Sequence, residues 1–328
     1  MTLRHFLADD DLTATEQAAV LDLADTLKAD PFAISPLAGP RSVALLFDKP
    51  TLRTQTSFSA GVVELGGFPM IVDGRLAQIG EREPVSDVAR VLGRQCSAVV
   101  WRTFGQDRIE EMAAYAGVPV VNALTDQYHP CQALADLMTV REHRGRLAGL
   151  TLAYVGDGAN NVAHSYLLAG ALAGLHLRIG APPEFAPDPE VVARAEKLAA
   201  ASGGSVLVTG SATEAVAGAD VVATDTWVSM GTEDDGRDRS TAFAAYAVTD
   251  ELLAGAPDAL VLHCLPAHRG AEITAEVLDG PRSVVWDEAE NRRHVQKAVL
   301  AFLLGEHRRA EPAEAPALSP STSPGSLP

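Results

Sequence analysis

Cysteine is scarce in this sequence, with three in 328 residues. Cys96, Cys131 and Cys264 are far apart, which suits neither a disulfide framework nor paired metal-ligand spacing. Positive charge is also short, at 26 Lys and Arg against 43 Asp and Glu, for a formal net charge of −17. Such a surface repels nucleic acid and anionic membranes, so neither is expected as a partner. Any anion site must be a local basic pocket. No segment approaches the ~18 unbroken apolar residues of a membrane span. The opening Met1-Thr2-Leu3-Arg4-His5 soon turns acidic and lacks a cationic region followed by an apolar stretch. It reads as neither a signal nor a transit peptide. A cytoplasmic chain with reduced thiols is the expectation.

What is present suits a globular protein: 47% hydrophobic and 21% charged residues, in a chain long enough for two cores. Thr13-Ala14-Thr15-Glu16 is a capping-box pattern before an apolar-periodic run through Val20, Leu21, Leu23, Ala24 and Leu27, which predicts a first helix. Strands are predicted at Ser42–Phe47, Pro69–Val72, Ala98–Trp101 and Val118–Val121, with a helix from about Cys131 to Arg144. A second series of strands is predicted at Thr151–Val155, Leu175–Ile179, Ser205–Val208, Asp220–Ala223, Ala259–Leu262 and Ser283–Trp286, before a last helix from about Glu288 to Leu304. Most are unbroken apolar runs, as in parallel strands covered on both faces. The fold class expected is α/β, with two doubly wound parallel-sheet domains joined by helices. From about Glu306 the chain turns Ala/Pro/Ser-rich, which predicts a disordered C-terminal tail.

In parallel α/β sheets, ligands bind beyond the carboxyl ends of the strands. The first such cluster, Asp48-Lys49-Pro50-Thr51-Leu52-Arg53-Thr54-Gln55, combines hydroxyls, a helix start and an arginine. That is a cradle for phosphate, or else a capped helix with a solvated arginine. Arg102 ends the third strand and reads as a site cation or as an ordinary surface residue. His129-Pro130-Cys131-Gln132 follows the fourth strand. It can polarise a carbonyl, or serve only as a cap and turn.

In the second half, Gly156-Asp157-Gly158-Ala159-Asn160-Asn161 opens a helix but lacks the third glycine of a dinucleotide loop. Its asparagines suit a carboxylate as well. Asp225-Thr226-Trp227-Val228-Ser229-Met230-Gly231 and His263-Cys264-Leu265-Pro266-Ala267 follow later strands. Neighbouring His and Cys on an extended chain point to opposite sides, which weakens a direct dyad, and an isolated cysteine is commonly a buried one.

Taken in order, these clusters resemble the ornithine carbamoyltransferases, over nearly the whole chain from the first helix to about Leu304. The Ser-Met-Gly and His-Cys-Leu-Pro-Ala segments are similar to the ornithine branch rather than the aspartate branch. The resemblance implies transfer of a carbamoyl group from carbamoyl phosphate to the side-chain amine of L-ornithine in arginine metabolism, with no cofactor and no metal. It implies a carbamoyl-phosphate-binding domain over 1–140 completed by a last helix at 288–305, an ornithine-binding domain over 141–287, and a tail at 306–328. A homotrimer, or a multiple of trimers, follows from the same likeness.

The implied roles are as follows. Thr51, Leu52, Arg53, Thr54 and Arg102 hold the phosphate, and Gln78 reaches the phosphate site of a neighbouring subunit. His129 and Gln132 contact the carbamoyl group, which Arg53, Thr54 and Arg292 polarise. Asn161, Asp225, Ser229 and Met230 bind ornithine, and Cys264 and Leu265 lie beside the reacting centre. The family usually reads Ser-Thr-Arg-Thr-Arg where this chain has Thr51-Leu52-Arg53-Thr54-Gln55. Leu52 therefore lacks a side-chain hydrogen bond to phosphate, a loss of about 1 kcal/mol, though its N–H remains. Leucine here also occurs in branches acting on acylated ornithines. Acetylornithine, putrescine and aspartate are the rival acceptors, and a nicotinamide-dependent oxidoreductase is the rival of a different class.

Overall fold

A computed structural model describes residues 3–228 and 239–305. The first half runs α1 (Ala14–Ala29), β1 (Ser42–Phe47), α2 (Arg53–Glu64), β2 (Phe68–Asp73), α3 (Gly74–Ala77), α4 (Val85–Gln95), β3 (Ala98–Arg102), α5 (Gln106–Ala116), β4 (Val120–Leu124) and α6 (Pro130–Arg144). The second runs β5 (Thr151–Val155), α7 (Asn161–Leu172), β6 (His176–Gly180), α8 (Pro189–Ser202), β7 (Ser205–Thr209), α9 (Ala212–Val216) and β8 (Val221–Thr224). It ends with α10 (Arg239–Phe243), α11 (Asp250–Leu253), β9 (Leu260–His263), α12 (Ala275–Leu278) and α13 (Val285–Leu303). The capping box forms as expected: Thr13 Oγ1 accepts from Glu16 N, and the Glu16 carboxylate accepts from Thr13 N at 2.9 Å. That satisfies two donors a helix start would otherwise leave open.

Among the described residues the strands form two all-parallel sheets, ordered β2-β1-β3-β4 and β7-β6-β5-β8-β9. In both, the order reverses beside the first strand of the series. Successive strands leave β1 to one side and then the other, as they leave β5. A crevice therefore opens at the carboxyl ends of β1 and β3, and another at those of β5 and β8. The loops beginning at Asp48, Arg102, Gly156 and Asp225 meet these two crevices because of strand order alone. Central strands are buried on both faces, while the outer strands β2 and β7 are partly exposed.

One element departs from expectation. Ser283–Trp286 is not a strand: Ser283 makes one isolated bridge to Val261, and Val285 already opens α13. A short apolar run does not distinguish a strand from a buried helical turn. Here Asp287 and Glu288 sit in the first turn, where the positive end of the helix favours acidic side chains. Helix α13 returns to the first half and packs on α6, α1 and α2. Lys297, fully buried on it, donates to Leu27 O at 3.1 Å and pairs with Glu64. No described helix is long and apolar enough to cross a membrane. The tail expected at 306–328 lies outside the described residues.

Candidate active site

A cleft of about 790 Å³ lies where the carboxyl ends of the two sheets face each other. Its first wall is cationic. Helix α2 starts after Leu52, whose side chain caps nothing, while Thr51 Oγ1 accepts from Thr54 N at 3.3 Å. A helix start with one N–H capped by a hydroxyl thus faces the cleft, a place that favours an anion. Thr54, buried one residue further in than Arg53, is an anchor rather than a free hydroxyl. Its Oγ1 accepts from Arg292 Nη2 at 2.8 Å and from Arg102 Nη1 at 3.4 Å. One neutral oxygen thus holds two buried guanidiniums, brought by α13 and by the end of β3. Nε of Arg102, Nε of Arg292 and Nδ1 of His129 are buried with no hydrogen-bond partner among the described residues. The two guanidinium N–H groups are costly donors to leave unmet, and a bound anion would satisfy them, while the neutral His129 ring can donate from one nitrogen only.

The electrostatics agree. Burial, then the neighbouring Arg292 charge, pushes Arg102 down to about 10. Burial lowers Arg292 as well, with Arg53 adding to it. His129, enclosed and facing the three guanidiniums, is held well below the usual histidine range and is neutral at pH 7. Cys131 beside it is pushed up to about 12 by burial and is inert.

The opposite wall is anionic. Asp225, at the end of β8, is buried. Its Oδ1 accepts from Cys264 Sγ at 3.0 Å and from Thr226 N at 2.7 Å, and its Oδ2 from Asn160 Nδ2 at 3.3 Å. Asn160 caps α7 through Ala163 N at 2.8 Å and also donates to Tyr154 OH at 2.9 Å. It is therefore rigid. Asn161 crosses to the first half, donating to Thr125 O at 2.6 Å. Burial, then the charge of Asp225, raises the Cys264 thiol well above its ordinary value. Cys264 is a proton donor to Asp225, not a thiolate.

His263 points away, as alternation along a strand requires. One ring nitrogen meets Glu272 Oε1 at 3.1 Å and the other accepts from Leu265 N at 2.9 Å. Ligand atoms of Asp225, His263 and Cys264 lie within 4.8 Å of one another. Both imidazole nitrogens are engaged with Glu272 and Leu265 N, and Cys264 with Asp225, so the three belong to two separate hydrogen-bonded supports.

Of the residues singled out from sequence, Thr51, Arg53, Thr54, Arg102, His129, Asn161, Asp225, Cys264, Leu265 and Arg292 line this one cleft. Leu52 is 71% exposed and faces outward. Gln78 ends α3 in a left-handed conformation, with φ +50°, and is not on the wall. Gln132 is buried behind Arg292, accepting from its Nη1 at 2.9 Å. Ser229 and Met230 lie outside the described residues. Sequence reasoning placed Lys49, which lines the cleft, pairs with Asp126 and lies 4.6 Å over the Phe104 ring, in the first strand-end cluster but gave it no role. It also passed over Asn160 in favour of its neighbour. An asparagine ahead of an apolar helical run is a cap signal, and that could have marked Asn160 as the more rigid of the two.

Residues 4–142 match the family described as aspartate/ornithine carbamoyltransferase, carbamoyl-P binding domain, and residues 148–303 match its Asp/Orn binding domain. The chain is 58% identical over 303 residues to an ornithine carbamoyltransferase of Mycobacterium ulcerans, covering 92% of this chain and 98% of that protein. It is 59% identical over 302 residues to one of Clavibacter michiganensis, again covering 92% and 98%. Among solved structures, ornithine carbamoyltransferase from Pyrococcus furiosus is similar at 41% identity and TM-score 0.88, covering 93% of this chain and 99% of that one. The enzyme from Gloeobacter violaceus is similar at 47% identity and TM-score 0.83, covering 92% and 100%. The chain belongs to the aspartate/ornithine carbamoyltransferase family.

Proposed function

We propose that this protein is an ornithine carbamoyltransferase, which moves the carbamoyl group of carbamoyl phosphate to the side-chain amine of L-ornithine and releases L-citrulline and phosphate. The observation that carries this is the two-ended cleft. Arg53, Arg102, Arg292 and His129 line one end, and the buried Asp225 lines the other. A dianionic acyl donor suits the first end, and the α-ammonium of an amino acid suits the second. Asn161, with Ser229 and Met230, is assigned to the rest of the amino-acid head group.

The reaction follows from this placement. An alkyl amine near pKa ~10.4 is protonated at neutral pH and cannot attack. Three guanidiniums disfavour its charged form and help release the proton. The neutral nitrogen attacks the carbamoyl carbon, and negative charge develops on oxygen opposite Arg53, Thr54, His129 and Arg292. The C–N bond forms, the bond from carbon to the phosphate oxygen breaks, and the departing phosphate takes the amine proton. Cys264, protonated and donating to Asp225, suits an orienting role.

The domain division inferred from sequence belongs to the same proposal, with α13 completing the first half against α1, α2 and α6. So does a trimer. Edge strand β2 exposes Phe68 and Ile71, and Leu76 and Leu52 are exposed nearby in sequence, a surface suited to a second copy that would bring Gln78 toward its neighbour's phosphate site. Three free cysteines fit a reducing cytoplasm. The test is a colorimetric carbamoylation assay with ornithine, acetylornithine, putrescine and aspartate side by side. Ornithine is expected to dominate, and a higher kcat/KM with any other amine would overturn the assignment.

A further inference from the structure

Behind the cationic wall lie two carboxyl groups that the reaction as described does not use. Gln132 and Asp136 share one face of α6 at a spacing of four, as Glu288 and Arg292 do on α13, and the two helices pack together. Gln132 Nε2 donates to Asp136 Oδ1 and to Glu288 Oε1, each at 2.8 Å, while Gln132 Oε1 accepts from Arg292 Nη1 at 2.9 Å. Only one orientation of the amide satisfies this arrangement, because a carboxyl oxygen needs a donor and a guanidinium needs an acceptor. Glu288 Oε2 also accepts from His263 N at 2.9 Å, next to Cys264 on the opposite wall. Asp136 and Glu288 are almost completely buried. Two carboxylates meeting one amide group in such a place cannot both hold a full charge.

We propose that Asp136 and Glu288 are positioning residues, a carboxyl pair carrying a single negative charge that locks the Gln132 amide with its oxygen toward Arg292. Arg292 is thereby held on Thr54, aimed at the carbonyl to be attacked; the inference rests on the carbamoyl-transfer reading. Burial foremost, then the charge of the other member, raises Glu288 well above the ordinary carboxyl range, and burial pushes Asp136 up to about 6, so the two share one proton as a pair. Arg292, the Tyr166 hydroxyl of α7 and the Cys264 thiol face the pair, and a single negative charge balances the one cation among them.

The pair is tested with Asp136→Asn, Glu288→Gln and the double variant, reading kcat and both KM values from citrulline formation, with thermal melting as a fold control. Each single change leaves one carboxyl to hold the charge, so kcat is expected to fall less than about tenfold. The double change removes the charge and lets the Gln132 amide turn. Its kcat is then expected to fall by on the order of 10²-fold or more, beyond the product of the singles, with KM for ornithine within about twofold. A double variant that folds and retains kcat within about threefold, or losses that simply multiply, would overturn the proposal. Should the double variant fail to fold, Glu288→Asp decides. It keeps the charge but withdraws the oxygen from Gln132, so kcat must fall further than in Glu288→Gln, and the reverse order refutes the pair. Wild-type citrulline formation tests the functional reading separately.

Discussion

Arg102 is expected to weaken the empty protein while strengthening its grip on substrate. It is 6% exposed, its Nε has no partner among the described residues, and Arg292 lies close enough to repel it. Its value falls from the ordinary arginine range to about 10. At about 1.4 kcal/mol per pH unit, holding the cation there costs roughly 3 kcal/mol. An arginine lowered in this way carries its cost in full below about pH 10 and sheds it only as pH climbs toward the ordinary arginine range, so the effect is flat across the neutral range. Arg102→Met keeps most of the volume and removes the charge. Against the relief stands the long bond to Thr54, worth about 1–1.5 kcal/mol, leaving a net gain of about 1–2 kcal/mol. The ligand-free variant is expected to melt about 1–3 °C above wild type by differential scanning calorimetry. Carbamoyl phosphate loses a charge-assisted bond of about 1.5–3 kcal/mol, so its affinity drops about 10- to 150-fold by titration calorimetry. A variant that melts lower and binds carbamoyl phosphate normally would refute the reasoning.

Three further outcomes are expected. Lys297→Met removes the buried partner of Glu64, which keeps Arg293 at 3.3 Å, so unfolding in urea should show a loss of about 2–3 kcal/mol, and no loss would mean that the ion pair is not stabilising. Gly93→Ala raises helix propensity by about 1 kcal/mol, yet the added carbon would fall 1.6 Å from Ala116 O. Because α4 and α5 must separate, the net is destabilising by about 1–3 kcal/mol, and a higher melting temperature would contradict the packing. Rapid quench with labelled carbamoyl phosphate and no ornithine should leave no label on the protein, since the Cys264 thiol is held protonated. A stoichiometric adduct abolished by Cys264→Ser would make that thiol a nucleophile.

The parts of the fold that were legible in the sequence are those with local causes. Ser42–Phe47 and Thr151–Val155 are apolar runs between polar turns, and they form strands at those bounds. Thr13 and Glu16 announce a helix start by chemistry three residues apart. Ser283–Trp286 was misread because its state is set by the acidic residues after it and by packing of α13, neither visible in the run itself. At the site, strand-end logic alone leads to Arg53, Arg102, His129 and Asp225. Arg292 lies on a helix far along the chain and was reached only through likeness to a family. Gln132 belongs to the strand-end cluster after β4, though its place behind Arg292 does not follow from that. Asp136 and Glu288 defeat local reasoning altogether, since a polar side chain on a helix normally faces water. Their burial depends on two helices distant in sequence meeting face to face.

The central claim is that one cleft has a phosphate end and an amino-acid end. Citrulline formation measured over both substrate concentrations, for Arg53→Ala and Asp225→Asn, tests it most directly. Arg53→Ala should raise KM for carbamoyl phosphate at least about tenfold, as loss of a charge-assisted contact requires, and Asp225→Asn should do the same for ornithine. If the two effects were exchanged, or if either variant turned over both substrates normally, the two-ended cleft would be wrong.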